Sequence, residues 1–143
     1  MKYAELHKTP HMPITPVSVW IGPRGWFRAC RGTPHGAAIP TDPVPASYYH
    51  RKLWCMLHIH IDAVTLYFGT PLELDEVCRV LAAQPLPSTL ELCRDRGSGP
   101  NSHWLSRLPK KAKTTKWRQK FLKFVSSEKK VAQFRTFYEP RPA

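Results

Sequence analysis

The chain has no C-x-x-C pair, and its four cysteines, Cys30, Cys55, Cys78 and Cys93, stand singly. That spacing argues against a zinc ribbon or a thioredoxin-like redox site and leaves each thiol as a small, partly buried hydrophobe. No window approaches the roughly 18–20 apolar residues of a membrane span. The first sixteen residues, MKYAELHKTPHMPITP, also lack the apolar run of a signal peptide. The expectation is therefore a cytoplasmic protein with reduced thiols. There is no G-x-S-x-G elbow, no Gly-rich phosphate loop and no cysteine in an identifiable histidine context, so nucleophilic catalysis finds no support. No cofactor is implied.

Acidic residues are scarce as well. Ten Asp and Glu face 22 Lys and Arg, for a net charge of +12, and the excess is not spread evenly. Residues 94–143 carry fourteen Lys and Arg against Asp95, Glu128 and Glu139, a net +11, whereas the first 93 residues hold eight against seven, a net +1. The asymmetry suggests a near-neutral folded body with a basic contact surface, whose default partner is a polyanion. With 143 residues, 42% of them hydrophobic, the chain is long enough for one domain with a buried core and no metal or disulfide staple. Fifteen prolines point to long irregular connections.

Three segments follow from the pattern. Residues 1–16 alternate charged and apolar positions without a sustained period, and Pro10, Pro13 and Pro16 exclude a regular helix, so they read as an arm. Residues 17–96 read as an α+β body. Val17–Ile21 and Gly25–Arg31 resemble a hairpin, residues 32–47 a proline-rich surface loop, and Leu53–Asp62 a strand. In that strand Leu53, Cys55, Leu57, Ile59 and Ile61 form one apolar face, with Trp54, Met56, His58, His60 and Asp62 on the other. Val64–Phe68 pairs with it through a tight turn at Asp62-Ala63. A capping box at Thr70-Pro-Leu-Glu73 starts a helix whose stripe is Leu74, Val77, Cys78, Leu81 and Ala82 and which ends before Pro85. Glu73, Asp75 and Glu76 suit the positive end of its macrodipole. Ser88–Leu92 fits a short strand or a helical turn equally well.

Residues 97–143, after the break at Gly97–Asn101, read as a basic helical segment. A short helix capped by Asn101 or Ser102 runs to Leu108. Lys113–Val125 forms an amphipathic helix, with Lys113, Lys116, Lys120 and Lys123 on one arc and Trp117, Phe121, Phe124 and Val125 on the next. A last helix, capped by Ser126 or Ser127, gathers Val131, Phe134, Phe137 and Tyr138 on one face. The fold class expected is thus α+β: a small antiparallel sheet with one packed helix, followed by basic helices.

Lysines on one helical arc neutralise successive phosphates and release counterions. Lys110, Lys111, Lys113, Lys116, Arg118, Lys120 and Lys123 are the candidate contacts, with Arg107, Arg118 or Gln119 placed for base readout. The leading expectation is a small non-enzymatic protein that binds DNA or RNA. The alternative is a protein-binding inhibitor or adaptor of the kind phages and mobile elements encode, anchored by Trp104, Trp117 and Phe134. Two blander readings of the same residues are a solvated helical face and a helix lying on a membrane surface.

His58-Ile-His60-Ile-Asp62 is the one string with metal-site character. It resembles the first five positions of the H-x-H-x-D-H motif of metallo-β-lactamase-type hydrolases, with Ala63 where the closing histidine belongs. Along a strand the three side chains step by about 7 Å, so they share an ion only with help from a neighbouring element. Were the chain an enzyme, a metal-dependent hydrolase or nuclease using His58, His60 and Asp62 is the version implied. A strand face covered by other elements, or a base-stacking platform that includes Trp54, accounts for the same residues.

Overall fold

The computed structural model describes residues 1–11, 13, 15–17, 53–93 and 103–139. They form an α+β fold whose three-stranded antiparallel sheet has the order β1 (Lys2–Thr9), β2 (Trp54–Ile61), β3 (Val64–Phe68). Five α-helices follow: α1 (Pro71–Ala82), α2 (Thr89–Cys93), α3 (Trp104–Arg107), α4 (Thr115–Ser127) and α5 (Lys129–Tyr138), with a 3₁₀ turn at Lys110–Lys113 ahead of α4. The expected hairpin at 17–31, the loop at 32–47 and the break at Gly97–Asn101 lie outside the described residues.

The central strand is the one its sequence marks. Cys55, Leu57, Ile59 and Ile61 are buried and their even-numbered neighbours point the other way, as the pleat requires. Trp54 departs from that alternation: it is buried and its ring lies 6.3 Å from that of Tyr138. The turn to β3 has positive φ at both central residues, Asp62 (49°) and Ala63 (70°), the conformation that follows the twist of a two-residue hairpin. Asp tolerates it, whereas the Ala63 Cβ crowds the backbone.

Where the sequence suggests an arm, Lys2–Thr9 form β1, in register with β2 from Lys2↔Ile61 to Thr9↔Trp54. Ala4 and Leu6 face the core while Tyr3, Glu5 and His7 face the opposite side. The prolines that exclude a helix begin only at Pro10, where the strand is already complete.

Helices α1, α4 and α5 share one core with the buried face of the sheet, built around Leu57, Ile59, Phe68, Leu74, Phe121 and Phe134. The basic C-terminal helices are therefore integral to the body. Their caps differ from those expected. His103 Nδ1 accepts from the Leu105 N–H at 3.0 Å to start α3, and Glu128 accepts from the Lys130 N–H to start α5. Ser88–Leu92 falls mostly within the helix α2, and its Ser88 hydroxyl accepts from the Glu91 N–H. At α1 the Thr70 side chain caps nothing. Glu73 turns inward instead: fully buried, it accepts from the Gly69 N–H at 3.1 Å and from the hydroxyls of Thr70 and Thr15. Its role is to hold the chain segments around α1's start, beyond the dipole effect that its position suggests. Of the thiols, Cys55 is in the core, and burial pushes that of Cys78 up to about 11. Among the described residues no helix is long and apolar enough to cross a membrane.

One hydroxyl completes the sheet. β3 pairs with β2 as far as Phe68↔Leu57, and beyond that point Tyr138 reaches the backbone. Its Oη accepts from the Cys55 N–H at 2.9 Å and lies 2.9 and 2.8 Å from the carbonyls of Cys55 and Gly69, which share its single proton. Replacing Tyr138 with Phe removes these buried hydrogen bonds. The expected loss is about 2 kcal/mol, read as a fall in Tm of about 4–8 °C. Ala63→Gly should act in the opposite sense. Relief of the left-handed strain exceeds the extra chain entropy, for a net gain of about 0.5–1 kcal/mol in a denaturant titration.

Candidate functional site

The charged residues of the C-terminal part separate into three groups. Arg107, Lys110, Lys111, Lys116 and Lys123 are exposed and Lys113 is half-buried. Among the described residues none of these six forms an ion pair. Lys120 is committed: its Nζ lies 2.7 Å from Asp62 Oδ2 at the β2–β3 turn. Arg118 is the third case. Only 6% exposed, it donates from Nη1 to the carbonyls of Leu81 and Ala83, each at 3.1 Å, and so caps the carboxyl end of α1. Arg118 therefore belongs to the interior and is withdrawn from the phosphate-contacting and base-reading sets.

The three aromatic anchors of the protein-docking alternative are interior too. Trp104 and Trp117 are each 3% exposed and Phe134 is fully buried. Trp117 donates its indole N–H to the Ile61 carbonyl at 3.1 Å and stacks on Phe121, while Phe134 packs edge-on against Tyr138. They bind the helices to the sheet and present no contact surface.

Two of the exposed lysines meet the Lys120–Asp62 pair at one place. Lys111, Lys116 and Lys120 line a recess of about 270 Å³ together with Asp62, Thr114 and Trp117. Its floor is the amino end of α4, where Thr114 Oγ1 accepts from the Trp117 N–H and donates to the Lys111 carbonyl. The positive dipole end of a thirteen-residue helix adds to the lysine charge there.

The remaining candidates, His58, His60 and Asp62, do not meet. The His60 Nδ1 lies 2.8 Å from Thr65 Oγ1 and its ring stacks on Tyr3 at 4.8 Å. Asp62 is held between Lys120 and the N-terminal ammonium of Met1. His58 instead joins two residues of β1: donor atoms of Glu5, His7 and His58 all lie within 4.8 Å of one another. His7 Nε2 is 3.0 Å from Glu5 Oε2, and the His7 and His58 rings are 4.4 Å apart. Burial, then the neighbouring His7, lowers the His58 pKa against the opposing pull of Glu5. Sequence reasoning passes over Glu5 and His7. Their signal was the alternation Tyr3, Glu5, His7 against Ala4, Leu6, which is short but of strand period.

No protein-family model, curated protein or solved structure matches this chain.

The Lys120 contact fixes a pH dependence. The Lys120 ammonium, then that of the N-terminus, holds the Asp62 carboxyl down to about 2, against an ordinary value of 3.8. The folded state thus favours the ionised form. The pair contributes stability above the carboxyl's unfolded pKa while its ammonium partners stay charged, and that contribution is lost as pH falls through the folded value. NMR titration of Asp62 should show the low pKa, and Lys120→Met should raise it towards 3.8. An unchanged midpoint in the variant would refute the assignment.

Proposed function

We propose that this protein binds nucleic acid without catalysing a reaction on it, through phosphate contacts from Arg107, Lys110, Lys111, Lys113, Lys116 and Lys123. The observation that carries the reading is the absence, among the described residues, of any carboxylate paired with these six side chains. A merely solvated helical face is commonly laced with internal ion pairs. No described carboxylate meets these cations, which suits them to an external anion. The recess at the start of α4 adds the positive end of the helix dipole to Lys111 and Lys116, a combination suited to a phosphate oxygen.

Contacts of this kind are sequence-independent. Arg118 caps a helix, which leaves Arg107 and Gln119, both exposed, as the candidate side chains for reading base edges. The protein-docking alternative retains the charge but lacks Trp104, Trp117 and Phe134 as anchors, so it would rest on electrostatics, which contribute more to association rate than to affinity.

Fluorescence anisotropy with labelled DNA and RNA duplexes and single strands tests the reading. If about five phosphates are engaged, log K should fall against log salt with a slope near −4.5, a loss of about 500-fold between roughly 50 and 200 mM. The triple substitution Lys110→Glu, Lys111→Glu, Lys116→Glu should abolish binding while the Tm is preserved. Absence of binding at low salt, or an affinity indifferent to salt, removes the proposal. A stoichiometric protein recovered from nuclease-treated extract and lost in the triple variant would transfer the surface to the docking alternative.

A further inference from the structure

The exposed face of the sheet carries a second arrangement, independent of the lysines. In the β1–β2 register Glu5 faces His58, and His7 faces Met56. Side chains directly across an antiparallel pair have Cβ atoms about 4.5–5.5 Å apart, so these four form a compact quadrilateral. The His58 ring has neighbours on three sides. Tyr67 meets it edge-on at 4.6 Å and 87°, His7 lies 4.4 Å away, and Met56 Sδ is 3.1 Å from Nε2.

The donor chemistry is specific. A carboxylate and two imidazoles each bring one potential ligand atom into a volume 4.8 Å across, a donor set of the kind that holds zinc. One divalent ion satisfies all three. We infer that Glu5, His7 and His58 form a binding site for a divalent transition-metal ion of the zinc type.

Two histidines and one glutamate are a recognised zinc donor set, and three protein ligands leave a fourth position open to water or to another donor. Tetrahedral ligands at about 2.0–2.1 Å from zinc sit about 3.3 Å from one another. The His7–Glu5 edge, at 3.0 Å, is already near that length. The widest edge must close by about 1.5 Å, within reach of side-chain rotation at partly exposed positions. The Met56 thioether lies beside the site and would favour softer ions over magnesium or calcium. His60 is excluded by its contacts to Thr65 and Tyr3. Because the ligands come from two strands, the ion would also clip β1, the edge strand that brings the N-terminus into the fold.

Isothermal titration with zinc chloride tests the site. One ion per chain with a micromolar Kd is expected, and saturation should raise the Tm by about 5 °C, since an ion bound by the folded state alone stabilises it. His7→Ala and His58→Ala should each weaken binding at least tenfold and His60→Ala should leave it unchanged. In the unsubstituted protein, NMR should show zinc shifting the imidazole resonances of His7 and His58 ahead of those of the other histidines, a readout that needs no variant to fold. No saturable binding, binding that survives the double alanine variant, or first shifts at other histidines would overturn the assignment.

Discussion

The pleat of β2 is the constraint from which the rest of the molecule follows. A strand with neighbours on both edges has its backbone groups committed to the ladder, so its side chains must sort to two faces at a period of two. Leu57, Ile59 and Ile61 go to the helices and His58 and His60 to the other side. A slip of one residue would bury the histidines and expose the isoleucines. The register is then secured at both ends by helix side chains. The Trp117 indole bonds the Ile61 carbonyl at one end, and the Tyr138 hydroxyl serves Cys55 at the other. These two bonds locate α4 and α5 relative to the sheet, and with α4 the lysines of its first turns.

This framework explains why two cations separated by one residue on the same helix have opposite fates. Lys116 and Arg118 are equally cationic and lie within one turn, yet Lys116 is exposed and Arg118 is interior. A helix end leaves carbonyls without partners, and Leu81 and Ala83 lie at the end of α1, where α4 crosses it. A planar guanidinium reaches two carbonyls at once and spreads its charge, which a compact ammonium does less well. Arg118 therefore satisfies α1 as part of the core.

Much of this was legible from residue types and their period. The alternation from Cys55 to Ile61, the proline-started helix from Pro71 and the apolar stripes of the last two helices are local patterns, and the structure contains each of them, whereas Leu53, expected on the buried face, is exposed and Trp54 is buried. What escaped the pattern depends on contacts distant in sequence. β1 is stable as a strand because β2 pairs with it along its whole length, and nothing within residues 2–9 reveals that partner. Glu73 sits where a capping box or a dipole interaction would put it, and only the return of Thr15 to the start of α1 makes it a buried acceptor. Cationic and aromatic residues share that difficulty. Trp117 and Arg118 look like contact residues in a basic segment until the sheet and α1 are brought against them. The metal-like string His58–Asp62 likewise placed its histidines on the right face but drew its partners along the strand, whereas the pleat draws them across it.

The distribution of carboxylates turns geometry into a statement about charge. Of the acids among the described residues, Asp62 holds Lys120, Asp75 holds Arg135, Glu76 holds Arg79, Glu5 adjoins His7, Glu128 caps α5 and Glu73 is enclosed by donors. That leaves Glu91 and Glu139, too few to balance Arg107, Lys110, Lys111, Lys113, Lys116 and Lys123 even if both could reach them. The basic surface therefore carries charge that the described part of the fold does not neutralise. Mutual repulsion among those ammonium groups is a standing cost to the compact state. On the proposed reading an external polyanion would relieve that cost while gaining from counterion release, so binding would stabilise the fold.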